Sequence, residues 1–331
     1  MDRLLDSAPT AQTNQIVGVA TFEVVFDSAP GTAVKKIYAN GRMRARLIVC
    51  VSCLDSEGRE VRPAPEILES LKLIEYFGGA DLGSHWSVSE KPNKYRHDMS
   101  GAGGRSRRHI GEFDDKVVRI ERWVSCEQPD EKRIAAAITL PNGRLVKSNN
   151  PSAPFGGSDS SVTLNAIAPV QYGLENFRLT KVDEFSGTDR SICKWYLGLY
   201  LGGEKVPLAG WFSPGFDSES EVEIYCNSWR QGTWEYPQYI VCAIADDHHG
   251  MINMWLPKDS ADHSGRVKEN YLISVNDRPG EISLVQGFSG WADRSVSANT
   301  QPFAITVLDD FGTAHNFQIV TNSNSFELEL K

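Results

Sequence analysis

The stretch QPFAITVLDDFGTAHNFQIV, residues 301–320, carries the local design on which the rest of the chain is built. Phe303, Ile305 and Val307 alternate with Ala304, Thr306 and Leu308, a period of two that sends successive side chains to opposite faces of a strand. Asp309-Asp310-Phe311-Gly312 then turns the chain. The Asp carboxylate can accept hydrogen bonds from the main chain ahead of it, and the Gly tolerates the left-handed backbone that begins the return strand. Phe317 and Ile319 resume the alternation, so the stretch reads as a β-hairpin. The same design recurs at Asp55-Ser56-Glu57-Gly58 and Asp247-His248-His249-Gly250, with related turns at Asn142-Gly143 and Gly202-Gly203.

Outward from these turns, strand patterns fall at 17–26, 34–38, 43–54, 116–126, 133–140 and 144–147. In the second half they fall at 161–167, 177–182, 192–201, 205–208, 222–226, 239–245, 251–256, 271–275 and 282–286. A single helical turn is expected at 66–70, after Pro63-Ala64-Pro65. Without a long amphipathic helix, the strand–helix alternation of parallel α/β enzymes is excluded. The expected fold is all-β, with two antiparallel β-sandwich domains, immunoglobulin-like or jelly-roll-like. SNNPSAPFGGSDS at 148–160 joins Pro, Gly and Ser without periodicity and reads as the linker. It divides the chain into a flexible tail at 1–15, a first sandwich at 16–158 and an aromatic-rich second sandwich at 159–331. A competing boundary at Gly101-Ala102-Gly103-Gly104 would give three smaller units. The shared hairpin chemistry points to two related sandwiches, although the turn spacing is too irregular for a repeat array.

At 331 residues each half can bury its own core without disulfide or metal. A net charge of -9 opposes broad attraction to nucleic acid or an anionic membrane. Cys50 and Cys53 have redox or zinc spacing, yet residues three apart on a strand face opposite sides, which favours buried free thiols. The amino terminus lacks the apolar core of a secretion signal and no run of about 18 apolar residues is present. Soluble cytoplasmic synthesis without such a signal is expected, with lysis or specialised secretion as routes of release.

Three constellations could carry chemistry. Asp247 and His249 at a hairpin tip, with Asp262 and His263 on a second loop, are ligand types for a divalent metal such as Zn²⁺. Their competing explanation is turn chemistry, as it is for Asp55, Glu57 and Glu60 as Ca²⁺ oxygen donors. Aromatic residues concentrate between 195 and 255, and residues 227–236 read as a loop bearing Trp229, Arg230, Trp234 and Tyr236. Flat rings beside hydrogen-bonding side chains suit a glycan or a protein surface. Trp195 and Trp255, on strands, are expected to fill the core. Residues 160–167 alternate like one arm of a membrane-inserting hairpin and equally like an ordinary half-exposed strand. Arg105-Ser106-Arg107-Arg108-His109 reads as a solvated basic loop rather than an anion site.

No nucleophile elbow, zinc-protease helix, phosphate loop or dinucleotide fingerprint is present. The leading expectation is a non-catalytic recognition protein, without a cofactor, that binds a glycan or protein surface through loops of the second sandwich. The alternative is an assembling homo-oligomeric subunit of a fibre, tail or toxin, with pore formation as its membrane variant. A metal-dependent hydrolase using Asp247, His249, Asp262 and His263 is third. Nucleic acid is not an expected partner.

Overall fold

The computed structural model describes residues 15–27, 32–99, 115–150, 158–187, 189–214, 223–232, 237–245, 250–257, 268–290, 302–322, 325 and 327–331. The chain divides into two compact units, Met1–Pro169 and Val170–Lys331.

In the first unit the strands are β1 (Ile16–Phe26), β2 (Val34–Tyr38), β3 (Ala45–Asp55), β4 (Glu60–Val61), β5 (Lys72–Glu75), β6 (Trp86–Ser89), β7 (Val118–Cys126), β8 (Asp130–Thr139), β9 (Leu145–Lys147), β10 (Asn149–Asn150), β11 (Ser158–Asp159) and β12 (Val162–Ile167). One sheet has the order β1-β3-β7-β6 with β4 on β3, and a second has β2-β12-β8-β5 with β9 on β8. Phe22, Val24 and Phe26 alternate inward on β1, opposite Val51, Val49 and Leu47 of β3. Ile134, Ala136 and Ile138 of β8 and Val162, Leu164 and Ala166 of β12 form the buried side of the second sheet. Among the described residues of this unit one helix, α1 (Pro65–Glu69), falls at the expected helical turn, with Pro in its first turn where a missing N–H costs nothing.

The division after Pro169 differs from the linker expected at 148–160. Val162–Ile167 runs antiparallel to β8 and parallel to β2, so it completes a sheet of the first unit. Composition marks a turn-rich stretch but carries no information about which sheet the next strand joins. The alternation at 160–167 belongs to a strand paired on both edges whose apolar side, Val162, Leu164 and Ala166, is buried. The β2–β12 pair is parallel, a departure from the all-antiparallel expectation.

The second unit comprises β13 (Phe177–Ser186), β14 (Arg190–Leu201), β15 (Glu204–Val206), β16 (Leu208–Phe212), β17 (Glu223–Gly232), β18 (Pro237–Ala245), β19 (Met251–Pro257), β20 (Lys268–Ser274), β21 (Ile282–Ser289), β22 (Phe303–Asp309), β23 (Ala314–Thr321) and β24 (Leu328–Leu330). Its sheets have the orders β13-β14-β21-β18-β17, β16-β22-β23-β24 and β19-β20, all antiparallel, with β15 on β14. Trp195, Leu197 and Leu199 of β14, with Leu284 of β21, share one core with Trp211, Ile305, Val307 and Ile319 of the second sheet. The opposite side of the first sheet is also covered. Ile192, Ala243 and Val285 pack against Ile252, Met254, Leu256 and Ile273 of the β19–β20 hairpin. The unit thus has a third layer beyond the two expected from its sequence.

The turn chemistry is realised in detail. At Asp55, Leu140 and Asp309 the N–H bonds the carbonyl four residues on, and the Gly three residues on bonds back to the carbonyl of the first residue. Gly58, Gly143 and Gly312 sit at φ +74, +79 and +80, the left-handed position of a three-residue hairpin loop. The Asp55 carboxylate accepts from the main chain of Glu57 and Arg59 and from Arg59 Nε. Glu60 accepts from Ser52 Oγ, so these carboxylates are engaged by protein donors rather than arrayed as a calcium ladder. Cys50 and Cys53 are free and buried, and burial pushes the Cys53 thiol up to about 11. The turn at 247–250 lies mostly outside the described residues.

Candidate functional site

Trp229 and Arg230 lie on β17, in register with Ile240 and Tyr239 of β18, and not on a loop. The segment pairs with β18 across a register shift between Tyr225 and Asn227, with Asn227 opposite Cys242, and the strand continues to Gly232 opposite Pro237. Only the main-chain path of β17 is described there. Trp234, Tyr236, Asp247, His249, Asp262 and His263 lie outside the described residues, as does the basic loop at 105–109. Among the described residues no group of three His, Cys, Asp or Glu side chains could hold a metal ion. No described helix is long and apolar enough to cross a membrane.

The described residues build two other features, both in the second unit. The first is the outer face of the β19–β20 hairpin. Ile252, Met254 and Leu256 point into the unit, so Met251, Asn253 and Trp255 occupy the other side of the strand. Leu272 stands opposite Asn253, diagonal to both Met251 and Trp255, which places three apolar side chains in one patch. They remain 43%, 44% and 62% exposed at Met251, Trp255 and Leu272, whereas Trp195 is 4% exposed. Trp255 therefore does not fill a core as expected. Period-two alternation identifies the two faces of a strand but not which layer covers each, and β19 is an outermost layer.

The second feature is a cleft of about 270 Å³ lined by Leu208, Gly210 and Trp211 from β16 and by Asn276, Arg278 and Glu281 from the β20–β21 loop. Unusual main-chain conformations converge there. The β16–β22 register slips between Leu208 and Gly210, and Gly210 has φ +151. Asn276, at φ 55, is the non-glycine residue with positive φ among those described. Arg278-Pro279-Gly280-Glu281 is a tight turn closed by the Glu281 N–H on the Arg278 carbonyl, with Gly280 at φ +75. A Cβ at Gly280 would meet the Pro207 Cβ at 2.9 Å, so glycine is needed for the close approach as well as for the turn.

A polar lattice on β14 fixes this loop. Lys194, Tyr196 and Tyr200 share a strand face through their even spacing. The Lys194 ammonium is 3.0 Å from Asp277 and 3.1 Å from Glu184, and the Tyr196 hydroxyl donates to Asp277 at 3.1 Å. Burial opposes the Lys194 charge, but its bonds to Tyr196, Asp277 and Glu184 outweigh burial and hold its pKa above the usual lysine range. Burial also acts to raise the Asp277 carboxyl, yet Lys194, a main-chain donor and Tyr196 bring it below the ordinary value. The Arg278 guanidinium lies 3.7 Å over the Tyr196 ring. Glu281 accepts from the Tyr200 hydroxyl at 2.9 Å and from Lys205 at 3.0 Å. These groups hold charge and position side chains. They do not bring a nucleophile together with an activating base.

Sequence reasoning missed both features. The alternation at 251–256 contained Trp255 but gave no sign of its layer. The Pro279-Gly280 pair marked a turn, while the stacking of Arg278 on a residue 82 positions away arises only in three dimensions.

No family model matches this chain, and no curated protein matches it in sequence. Solved structures with some likeness include the adhesin InvE of Yersinia pseudotuberculosis, at 9% identity and TM-score 0.20, over 94% of this chain and 63% of that one. Another is the collagen-binding domain of the surface protein RspB of Erysipelothrix rhusiopathiae, at 9% identity and TM-score 0.19, over 96% and 94%. The chain spans 63% of the length of the adhesin. Likeness at this level leaves function to be argued from the chain itself.

Proposed function

We propose that the chain is a non-catalytic recognition protein that engages a glycan or protein surface through its second unit. The observation that carries this reading is the Met251–Leu272–Trp255 patch on the outer face of the β19–β20 hairpin. Single exposed apolar residues are common on soluble proteins, but neighbouring Trp, Leu and Met side chains left in water on one sheet face suit a contact surface. A Trp ring offers a large rigid area at little entropic cost, and the exposed Asn270 opposite it adds a hydrogen-bonding amide. The test is retention on arrays of immobilised glycans and proteins, comparing wild type with Trp255→Ser/Leu272→Ser. Loss of a wild-type signal with little change in thermal midpoint is expected. Unchanged retention would remove this face from the reading.

The same patch also suits self-association, the assembling-subunit alternative, because a second copy could cover it. Light scattering over a range of concentrations separates the two. A dimer abolished by Trp255→Ser/Leu272→Ser supports assembly, and a monomer supports recognition of another molecule.

A further inference from the structure

We propose that the outer edge of β20 takes up an extended peptide as an added strand, one that alternates apolar with polar residues and carries Lys or Arg. The phase of the β19–β20 ladder decides which main-chain groups that edge presents. Met251 stands opposite Ser274, so the register continues to Gly250 opposite Val275, where the Val275 N–H donates to the Gly250 carbonyl at 2.9 Å. Directly opposed residues of an antiparallel pair alternate between bonded and non-bonded, and in a non-bonded pair both N–H and C=O point away from the partner strand. With Gly250 and Val275 bonded, Asn270, Leu272 and Ser274 turn their N–H and C=O outward. Among the described residues β20 pairs with β19 alone, and these three residues are exposed. A row of outward main-chain groups is the template for strand addition.

The space beside that edge has a floor. β20 runs along β14, since Glu269 pairs with Arg190, Ile273 shares a core with Ile192, and Asp277 bonds Lys194 and Tyr196. β13 is the next strand out from β14 and the end of its sheet. Its Val182 and Phe185 stand opposite Lys194 and Ile192, on the face that the hairpin covers. The Phe185 ring lies 5.4 Å from that of Tyr271, and Phe185 is still 40% exposed. One strand laid beside β20 covers Phe185 and Val182 with its alternate side chains. Two copies joined through β20 would bring their β13 strands into the same space, which favours a separate peptide over a second copy.

Charge selects among peptides. Along this groove Arg190 is shared by Asp189 and Glu269, and Lys194 by Glu184 and Asp277. Arg278, next to Asp277 in sequence, pairs with Glu281. None of the four groove carboxylates is buried, and they outnumber the two cations, so they attract the basic side chains of a bound strand. This site goes beyond the outer-face reading, because it binds through main-chain groups rather than through the Met251–Leu272–Trp255 side chains.

The test is an immobilised series of acetylated, amidated peptides that alternate Val with Thr, ended by Lys in one set and by Glu in the other, together with amide hydrogen exchange on the full chain. In the free chain the amides of Asn270, Leu272 and Ser274 should exchange much faster than those of Tyr271 and Ile273, and the Lys-ended peptides should slow them. Ser274→Pro removes one outward N–H at an edge position that tolerates proline and should weaken retention about five-fold or more, whereas Ser274→Thr should not. N-methylation of one alternate set of peptide amides should abolish retention and methylation of the other set should spare it, a comparison made on the unaltered protein. Ser274→Pro leaves Met251, Trp255 and Leu272 in place, so failure here is distinct from failure of the outer-face reading. No retention of the Lys-ended set, equal retention of the Glu-ended set, or equal effects of the two methylations would each overturn the proposal. So would slow exchange at Asn270, Leu272 and Ser274 in the chain alone, which would show the edge already covered, and protection that grows with concentration would assign it to a second copy.

Discussion

Replacing Asp309 by Ala removes the acceptor at the centre of the β22–β23 turn while leaving the strands on either side intact. Its Oδ1 accepts from the main chain of Phe311 at 3.0 Å and of Thr313 at 2.8 Å. Thr313 is 1% exposed, so water cannot readily take over at that N–H. A buried donor left unsatisfied costs about 1–3 kcal/mol, and the more accessible Phe311 N–H adds about 1 kcal/mol, for a total of roughly 2–4 kcal/mol. Asp55 provides an internal comparison because it makes the same two main-chain bonds, to Glu57 and Arg59. Both of those residues are exposed, so water replaces the lost acceptor and Asp55→Ala should cost only about 1 kcal/mol. The Arg59 ion pair at that turn adds little, because the Arg side chain is solvated. Asn at either position keeps the accepting oxygen and should cost under about 1 kcal/mol. Urea denaturation of the four variants, with hydrogen exchange to identify the unit that opens, measures these differences. Asp309→Ala no worse than Asp55→Ala would refute the burial argument. The other Asp309 oxygen, Oδ2, lies 3.5 Å from the buried His315 Nε2, so Asp309→Asn as harmful as Asp309→Ala would show that charge toward His315, rather than acceptance at the turn, is what matters.

Lys194→Met should destabilise the second unit by about 1–3 kcal/mol, less than the 3–5 kcal/mol of a fully buried pair, because Asp277 and Glu184 retain 40% and 32% exposure and can rehydrate. The sign of the pH dependence follows from the two shifts. The lowered Asp277 pKa contributes stability above the unfolded carboxylate range, lost as pH falls through the folded value. The raised Lys194 pKa contributes stability that is complete below the unfolded lysine range and is lost as pH rises through its folded value. Wild type should therefore weaken at both extremes, and urea titrations across pH should find both limbs shallower in Lys194→Met. Cys50 and Cys53 should resist alkylation at pH 8 until the chain is unfolded, since burial leaves only about a thousandth of the Cys53 thiol ionised. Rapid native labelling of either, mapped by mass spectrometry, would contradict that burial.

Turns and strand faces were legible from the residues because their causes are local. An Asp accepting from the main chain ahead and a Gly at positive φ act within five residues, so Asp55–Arg59 and Asp309–Thr313 follow from their own chemistry. Alternation likewise assigns Phe22, Val24 and Phe26 to one side of a strand without reference to its partner. The loop reading of 227–236 failed where a local signal was overridden by pairing, since β18 supplied a ladder that the side chains of Asn227 and Ser228 do not encode. The assignment of 162–167 to the first unit, the exposure of Trp255 and the cleft at Arg278 depend on contacts between residues far apart in sequence. The sequence by itself determined the hairpins and the two-faced strands, through short-range hydrogen bonding and side-chain period. Only the tertiary structure decided which strands became neighbours, which faces a further layer covered, and which charged groups met, because those outcomes depend on the competition among all strand faces for burial.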